Sequence, residues 1–197
     1  MVEGKTEDVF KSHLLSFLKK RIPENNMPRV SFNRFDGRIP TGEKLRRRVN
    51  LYLADRNPAD HVIALTDVYT GTREFADAAD AKNKMRTWVG VNPRFHPHVA
   101  LHDFEAWLLP YWNEIQRLSG SNRASPGAQP EHINHQNPPS HRIQEAFRTG
   151  KGGSYVKARD ALSILKGKDL LVSANACPEL KSFLNTLLEL AGGDLIP

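Results

Sequence analysis

Glu3, Asp67, Asp103 and Glu105 share one address: each stands where a short apolar run gives way to a turn or a helix. Open parallel sheets place their ligands at the carboxyl ends of the strands, so acids with that address converge on one edge. Carboxylates brought together repel one another unless a cation neutralises them, and hard oxygen donors favour Mg²⁺ or Mn²⁺. A divalent ion beside a phosphodiester can polarise the phosphoryl oxygen and activate water. A further carboxylate can serve as general acid or base. Any one of these acids could equally be a helix cap; the shared position of all four makes them a candidate site.

The elements that must hold them follow from periodicity. Thr6 reads as an N-cap, with Glu7 and Asp8 in a first turn that welcomes negative charge. Val9, Phe10, Leu14, Phe17 and Leu18 then repeat at helical spacing. Residues 29–35 alternate as a strand, with Val30 and Phe32 on one face. Residues 43–56 and 75–90 read as helices, and residues 61–67 and 96–101 as strands. The continuous apolar run Val62-Ile63-Ala64-Leu65 fits a parallel strand covered on both faces. This alternation predicts an α/β fold, a parallel sheet flanked by helices. Only Met1 and Val2 precede Glu3, so the first strand is expected to be truncated or missing: either the native chain begins upstream, or the domain does without most of that strand, which would leave Glu3 loosely held.

Composition changes at residues 119–140, where four prolines and two glycines mark an irregular loop. The expected organisation is an α/β domain over residues 1–118, that loop, and a helical extension over residues 141–197 packed on the same domain. Pro178 suits a first helical position, and Leu180, Phe183, Leu184, Leu187 and Leu188 form a stripe that reads as core packing.

Lys and Arg number 28 against 22 Asp and Glu, a net charge of +6, which suits a polyanionic partner such as DNA or RNA. Lys44, Arg46, Arg47 and Arg48, then Lys82, Lys84 and Arg86, then Arg148, Lys151, Lys157 and Arg159 could track phosphates, or could be solvated helix faces. Trp88, Trp107 and Trp112 could stack bases, but their helical placement favours packing. The single cysteine, Cys177, excludes an intrachain disulfide and favours a cytoplasmic compartment. No apolar run approaches the ~20 residues of a membrane span.

The segment Val2-Glu3-Gly4-Lys5-Thr6-Glu7 resembles the opening motif of Toprim domains, the catalytic module of topoisomerases, primases and OLD-type nucleases. Leu65-Thr66-Asp67-Val68-Tyr69 stands where that fold carries Asp-x-Asp. His102-Asp103-Phe104-Glu105-Ala106-Trp107, Tyr155-x-Lys157 and Ala176-Cys177-Pro178 are similar to segments of a stand-alone, uncharacterised Toprim-like family of prokaryotes. The resemblance implies a Mg²⁺- or Mn²⁺-dependent nuclease with Glu3 as general acid or base, or as metal ligand, and Asp67 as metal ligand. Tyr69 replaces the second aspartate, and Glu105 or Asp103 is expected to supply the lost ligand. Lys5 could meet phosphate at the first helix N-terminus, and His102 could orient a phosphate or a metal-bound water, or simply pack. An ATPase partner, a role in anti-phage defence and possible homo-oligomerisation are further implications. The alternative is a catalytically silent binding or regulatory subunit of an ATPase complex.

Overall fold

The computed structural model describes residues 1–197 apart from 36, 71, 133–135 and 151–152, with Lys5, Glu7 and Asp8 described by their backbone alone. Asp36, Gly71 and Lys151, read from the sequence as turn or phosphate-contacting residues, therefore lie outside the described residues.

Two strands, β1 (Val62–Val68) and β2 (Phe95–Leu101), pair in parallel with Val62 against Phe95 and Val68 against Leu101. Met1 and Val2 extend this sheet. The Met1 nitrogen donates to the Ile63 carbonyl at 2.7 Å, and the Leu65 N–H donates to the Met1 carbonyl at 3.0 Å. On the other side Val2 N–H donates to Asn33 O, and Phe35 N–H to Val2 O, each at 3.0 Å, which makes a parallel bridge from Val2 to Arg34. The first strand is thus present, as the two residues Met1 and Val2. The strand expected over residues 29–35 contracts to that single bridge, while Val30 and Phe32 pack loosely on the core.

Across the sheet the order is residues 33–35, residues 1–2, β1, β2. The chain leaves residues 1–2 toward one side and returns past them to β1 on the other. Open parallel sheets bind their ligands beside such a reversal, at the carboxyl ends of the two strands that flank it. Glu3 and Asp67 stand at those two ends.

Helices cover both faces. Helix α1 (Lys5–Lys19) follows Glu3, α2 (Gly42–Ala54) precedes β1, and α3 (Ala78–Val89) links β1 to β2. A 3₁₀ segment over Phe104–Tyr111 runs into α4 (Trp112–Ser119), and the tail supplies α5 (Pro139–Thr149), α6 (Lys157–Leu165), α7 (Leu170–Ala176) and α8 (Pro178–Leu190). Leu45, Val49, Met85 and Val89 bury one face of the sheet with Val62, Ala64 and Val68. The other face, with Leu65 and Ala100, shares one core with α1, the 3₁₀ segment and the tail helices. Trp107 is its centre, with Phe104 at 5.3 Å, Phe10 at 5.9 Å and Phe183 at 6.0 Å between ring centroids. Burying each such side chain contributes roughly 1.5–3 kcal/mol. The leucine-rich stripe of α8 is core, as its spacing predicts, and Trp107 and Trp112 are buried there with it.

Residues 119–140 are less irregular than their composition suggests. They contain a 3₁₀ turn, Pro130–His132, whose Glu131 is buried. Glu131 accepts the Trp107 indole N–H at 3.1 Å and the Glu179 backbone N–H at 3.0 Å, so it caps α8 and fixes the central tryptophan. Among the described residues no helix is long and apolar enough to cross a membrane.

Candidate active site at the sheet edge

Glu3 owes its position to the two-residue strand. The Met1 bonds to Ile63 and Leu65 set Met1 beside Ala64, which places Glu3 level with Thr66. There the Glu3 carboxylate accepts a short hydrogen bond from the Thr66 hydroxyl and a second, at 3.2 Å, from the Asp67 backbone N–H. The loose Glu3 expected from the sequence is not observed, because the β1 edge supplies the scaffold that strand length does not.

At the end of β2 the chain turns through His102, whose φ of 68° makes it the one non-glycine residue with positive φ among the described residues. Its N–H still joins the ladder, donating to Val68 O at 2.8 Å. A left-handed non-glycine residue costs on the order of 1–3 kcal/mol and marks an over-determined turn. This turn leads directly into Asp103 and Glu105, 2% and 1% exposed, at the start of the 3₁₀ segment.

Asp103 Oδ2 accepts the Ser140 N–H at 3.1 Å, while its buried Oδ1 has no hydrogen-bond partner among the described residues. Glu105 accepts the Tyr155 hydroxyl at 3.3 Å and lies 3.4 Å from the Lys157 ammonium through each of its oxygens. Lys157 belongs to the first turn of α6, and its side chain remains 55% exposed.

These groups feel one another. Burial, then the neighbouring Asp103 charge, pushes the Glu105 carboxyl up to about 7, with Lys157 pulling the other way. Burial also raises Asp103, against the bonds from Ser140 and the charge of Lys157. Burial, Asp103 and Asp67 push the Tyr69 phenol up to about 12, so it stays neutral and brings no charge where the second aspartate was expected. For Lys157 burial acts downward, but Glu105, Asp103 and Asp67 together hold the ammonium above its ordinary range. Tyr155 is raised by burial and by Glu105, so it remains a donor.

The structure therefore brings Asp67, Asp103, Glu105 and Lys157 into one electrostatic cluster, with Glu3 bonded to its β1 edge. His102 is buried with its ring 6.1 Å from that of Tyr69, and its contribution is the turn. Arg46 and Arg47 lie on α2 and pair with Glu43 of the same helix. The Lys5 side chain lies outside the described residues. Three members were missed from the sequence. Tyr155 was visible only as part of a family-like pattern, Ser140, whose backbone N–H and side chain both act on Asp103, sits at the end of the expected loop, and Thr66 reads simply as strand.

Could these residues hold a divalent ion? The donors are carboxylate oxygens, the chemistry Mg²⁺ and Mn²⁺ prefer, and the unsatisfied Asp103 Oδ1 is an acceptor in want of a partner. Among the described residues, though, no three acid, histidine or cysteine side chains are gathered closely enough to hold a metal. Glu105 is already engaged by Tyr155 and Lys157. The donor type is right for a hard divalent ion, but the placement of Asp67, Asp103 and Glu3 makes no three-ligand metal site among the described residues.

The fold is α/β, a small parallel sheet flanked by helices, with a cluster of acids at the sheet's carboxyl edge. The chain belongs to the family described as Domain of unknown function (DUF4276), whose model matches residues 2–188. No curated protein matches it, and no solved structure does.

Proposed function

We propose that this chain is a Toprim-like, Mg²⁺- or Mn²⁺-dependent nuclease that hydrolyses phosphodiester bonds in DNA or RNA. The observation that carries this reading is the meeting of Glu3 and Asp67 at the switch point, beside the buried Asp103–Glu105 pair and Lys157. The net charge of +6 supports a polyanionic substrate.

Asp67, Asp103 and Glu3 would hold the ion, which when bound polarises the phosphoryl oxygen and lowers the pKa of water. Lys157, half exposed, is the group able to reach a phosphate and stabilise charge developing on it. Glu105 is too buried to touch substrate. It orients the Lys157 ammonium and, titrating near neutral pH, stores a proton beside it. Its assignment accordingly moves from metal ligand to positioning residue. The Thr66 hydroxyl and the Asp67 N–H fix the orientation of the Glu3 carboxylate, which is placed for ligation or for accepting a proton from water. By resemblance the chain would act with an ATPase partner in defence against phage.

The test is incubation with single- and double-stranded DNA and RNA in Mg²⁺, Mn²⁺ or chelator, beside Glu3→Ala. Cleavage that needs the ion and falls at least 100-fold in the variant supports the reading; equal cleavage by both proteins would sink it. A silent ATPase-binding subunit is the second reading, favoured by the neutral Tyr69. It predicts no cleavage of any polymer and no divalent binding by calorimetry.

A further inference from the structure

The outer edge of β2 forms the floor of a cleft. Its volume is about 940 Å³, and Lys82, Arg86, Phe95, His96, His98 and Thr186 line it between α3 and α8. The strand register decides what that edge offers. Arg94 O accepts the Val62 N–H and His102 N–H donates to Val68 O, so the even-numbered residues of β2 turn their backbone groups toward β1. Phe95 and Pro97 turn theirs outward, and β2 ends the sheet among the described residues. Pro97 has no N–H, and the Phe95 N–H is taken by Asn92 O at 3.1 Å. The edge therefore presents carbonyl acceptors to the cleft, and the proline blunts it against an added strand. Side chains alternate as well. Phe95 joins Met85 and Val89 of α3 in one core, while the His98 ring meets Phe183 of α8 edge-on at 5.6 Å.

The walls are basic. Lys82 is tied to Glu179 of α8 at 2.8 and 3.0 Å. Arg86 makes no ion pair among the described residues, and its guanidinium meets the neutral Asn83 amide oxygen at 3.1 Å. Helix α3 returns from the carboxyl end of β1 to the amino end of β2, so Arg86 lies farther from the acid cluster than the Lys82 bridge does. At the floor His98 is 5% exposed; its Nε2 meets Thr186 Oγ1 at 3.0 Å, and its Nδ1 has no hydrogen-bond partner. Burial, then the charges of Lys82, His96 and Arg86, lowers this imidazole to about 3, so it stays neutral in the field of all three.

From this cleft we infer a second binding site, for a nucleoside monophosphate whose base carries an exocyclic amine. The phosphate meets Arg86, and the amine donates to the Phe95 and Pro97 carbonyls. A planar guanidinium suits phosphate through paired N–H donors. Clefts of roughly 300–1,000 Å³ suit ligands of this size. A bare inorganic anion would use the cation and leave the carbonyl edge and its apolar surround idle. The site stands apart from the acid cluster and needs no metal.

The test is calorimetry in chelator, which silences any divalent-ion site. Adenosine monophosphate, inosine monophosphate and inorganic phosphate are titrated into wild type, Arg86→Ala and Ser182→Trp, each checked for folding by circular dichroism. Arg86 and Ser182 are both exposed, so neither change disturbs the core, and Ser182→Trp fills the cleft from the α8 side. Wild type should bind adenosine monophosphate at least tenfold more tightly than phosphate, and than inosine monophosphate, whose carbonyl replaces the amine. Arg86→Ala should weaken that binding about tenfold or more, the size of one charged hydrogen bond, and Ser182→Trp should abolish it. No binding of adenosine monophosphate at millimolar concentration overturns the site, as does unchanged binding in either folded variant. Equal affinity for adenosine monophosphate and phosphate, or for the two nucleotides, overturns the ligand class.

Discussion

The Glu3 carboxylate accepts the backbone N–H of Asp67 at 3.2 Å, joining two acids 64 residues apart across adjacent strands. The bond exists because Met1 is threaded between Ile63 and Leu65. The Thr66 hydroxyl donates to the same Glu3 oxygen. Thr66→Val keeps the β-branched shape and removes the donor. It should cost about 1 kcal/mol of stability and lower cleavage about tenfold, the equivalent of ~1.4 kcal/mol in the barrier. Urea unfolding and single-turnover kinetics read the two effects; unchanged kinetics would show that Glu3 needs no positioning.

Glu105 gives the molecule a pH dependence whose sign is fixed. Its folded-state value of about 7 lies above the ordinary 4.5. Between those values the native state holds a proton that the unfolded chain has released. The associated stability is fully present below pH 4.5 and is lost as pH rises through about 7. The loss is on the order of 1–3 kcal/mol. Glu105→Gln, neutral throughout, should show a flatter profile of urea midpoints between pH 4.5 and 8, and parallel profiles for the two proteins would contradict a Glu105 carboxyl raised by burial and by Asp103.

The turn at His102 separates backbone need from side-chain chemistry. At φ 68° an asparagine is tolerated and a β-branched residue is not. His102→Val should therefore be less stable than His102→Asn by roughly 1–2 kcal/mol. Denaturation of the two variants under one condition is the comparison. Equal stability would mean that the turn is free to relax, and that Asp103 and Glu105 are not held by it.

Glu131 is the second deeply buried glutamate, and it does a different job. Its oxygens take the Trp107 indole and the first free N–H of α8. Glu131→Gln turns an amide N–H toward the Glu179 N–H and should cost about 1–3 kcal/mol. Metal-dependent cleavage should persist below its lowered melting temperature. Loss of cleavage in the folded variant would move Glu131 into the site.

Much of this was legible in residue types and periods. The apolar run of β1 and the leucine stripe of α8 reported their burial because both depend on local spacing. Acids after strands reported the edge of the sheet. What the sequence hid is non-local. Two residues, Met1 and Val2, are too few to show a period, and their role as a strand comes wholly from hydrogen bonds to β1 and to residues 33–35. The same holds for Ser140, whose backbone N–H meets Asp103 across 37 residues of chain. Glu105 was read as a ligand because its position in the chain fits one. Its neighbours Tyr155 and Lys157, some fifty residues on, recast it.

The central claim is that Asp67 anchors a divalent-ion site for phosphodiester hydrolysis. Asp67→Asn preserves the size of the side chain, and the Asp67 N–H that holds Glu3 is unaffected. The decisive measurement is single-turnover cleavage of a labelled polynucleotide in Mn²⁺ by wild type and by Asp67→Asn, with calorimetric Mn²⁺ binding on the same samples. The account predicts that the variant loses at least 100-fold in rate, about 2.7 kcal/mol, together with Mn²⁺ affinity. Wild-type rate and affinity in a folded Asp67→Asn protein would contradict it.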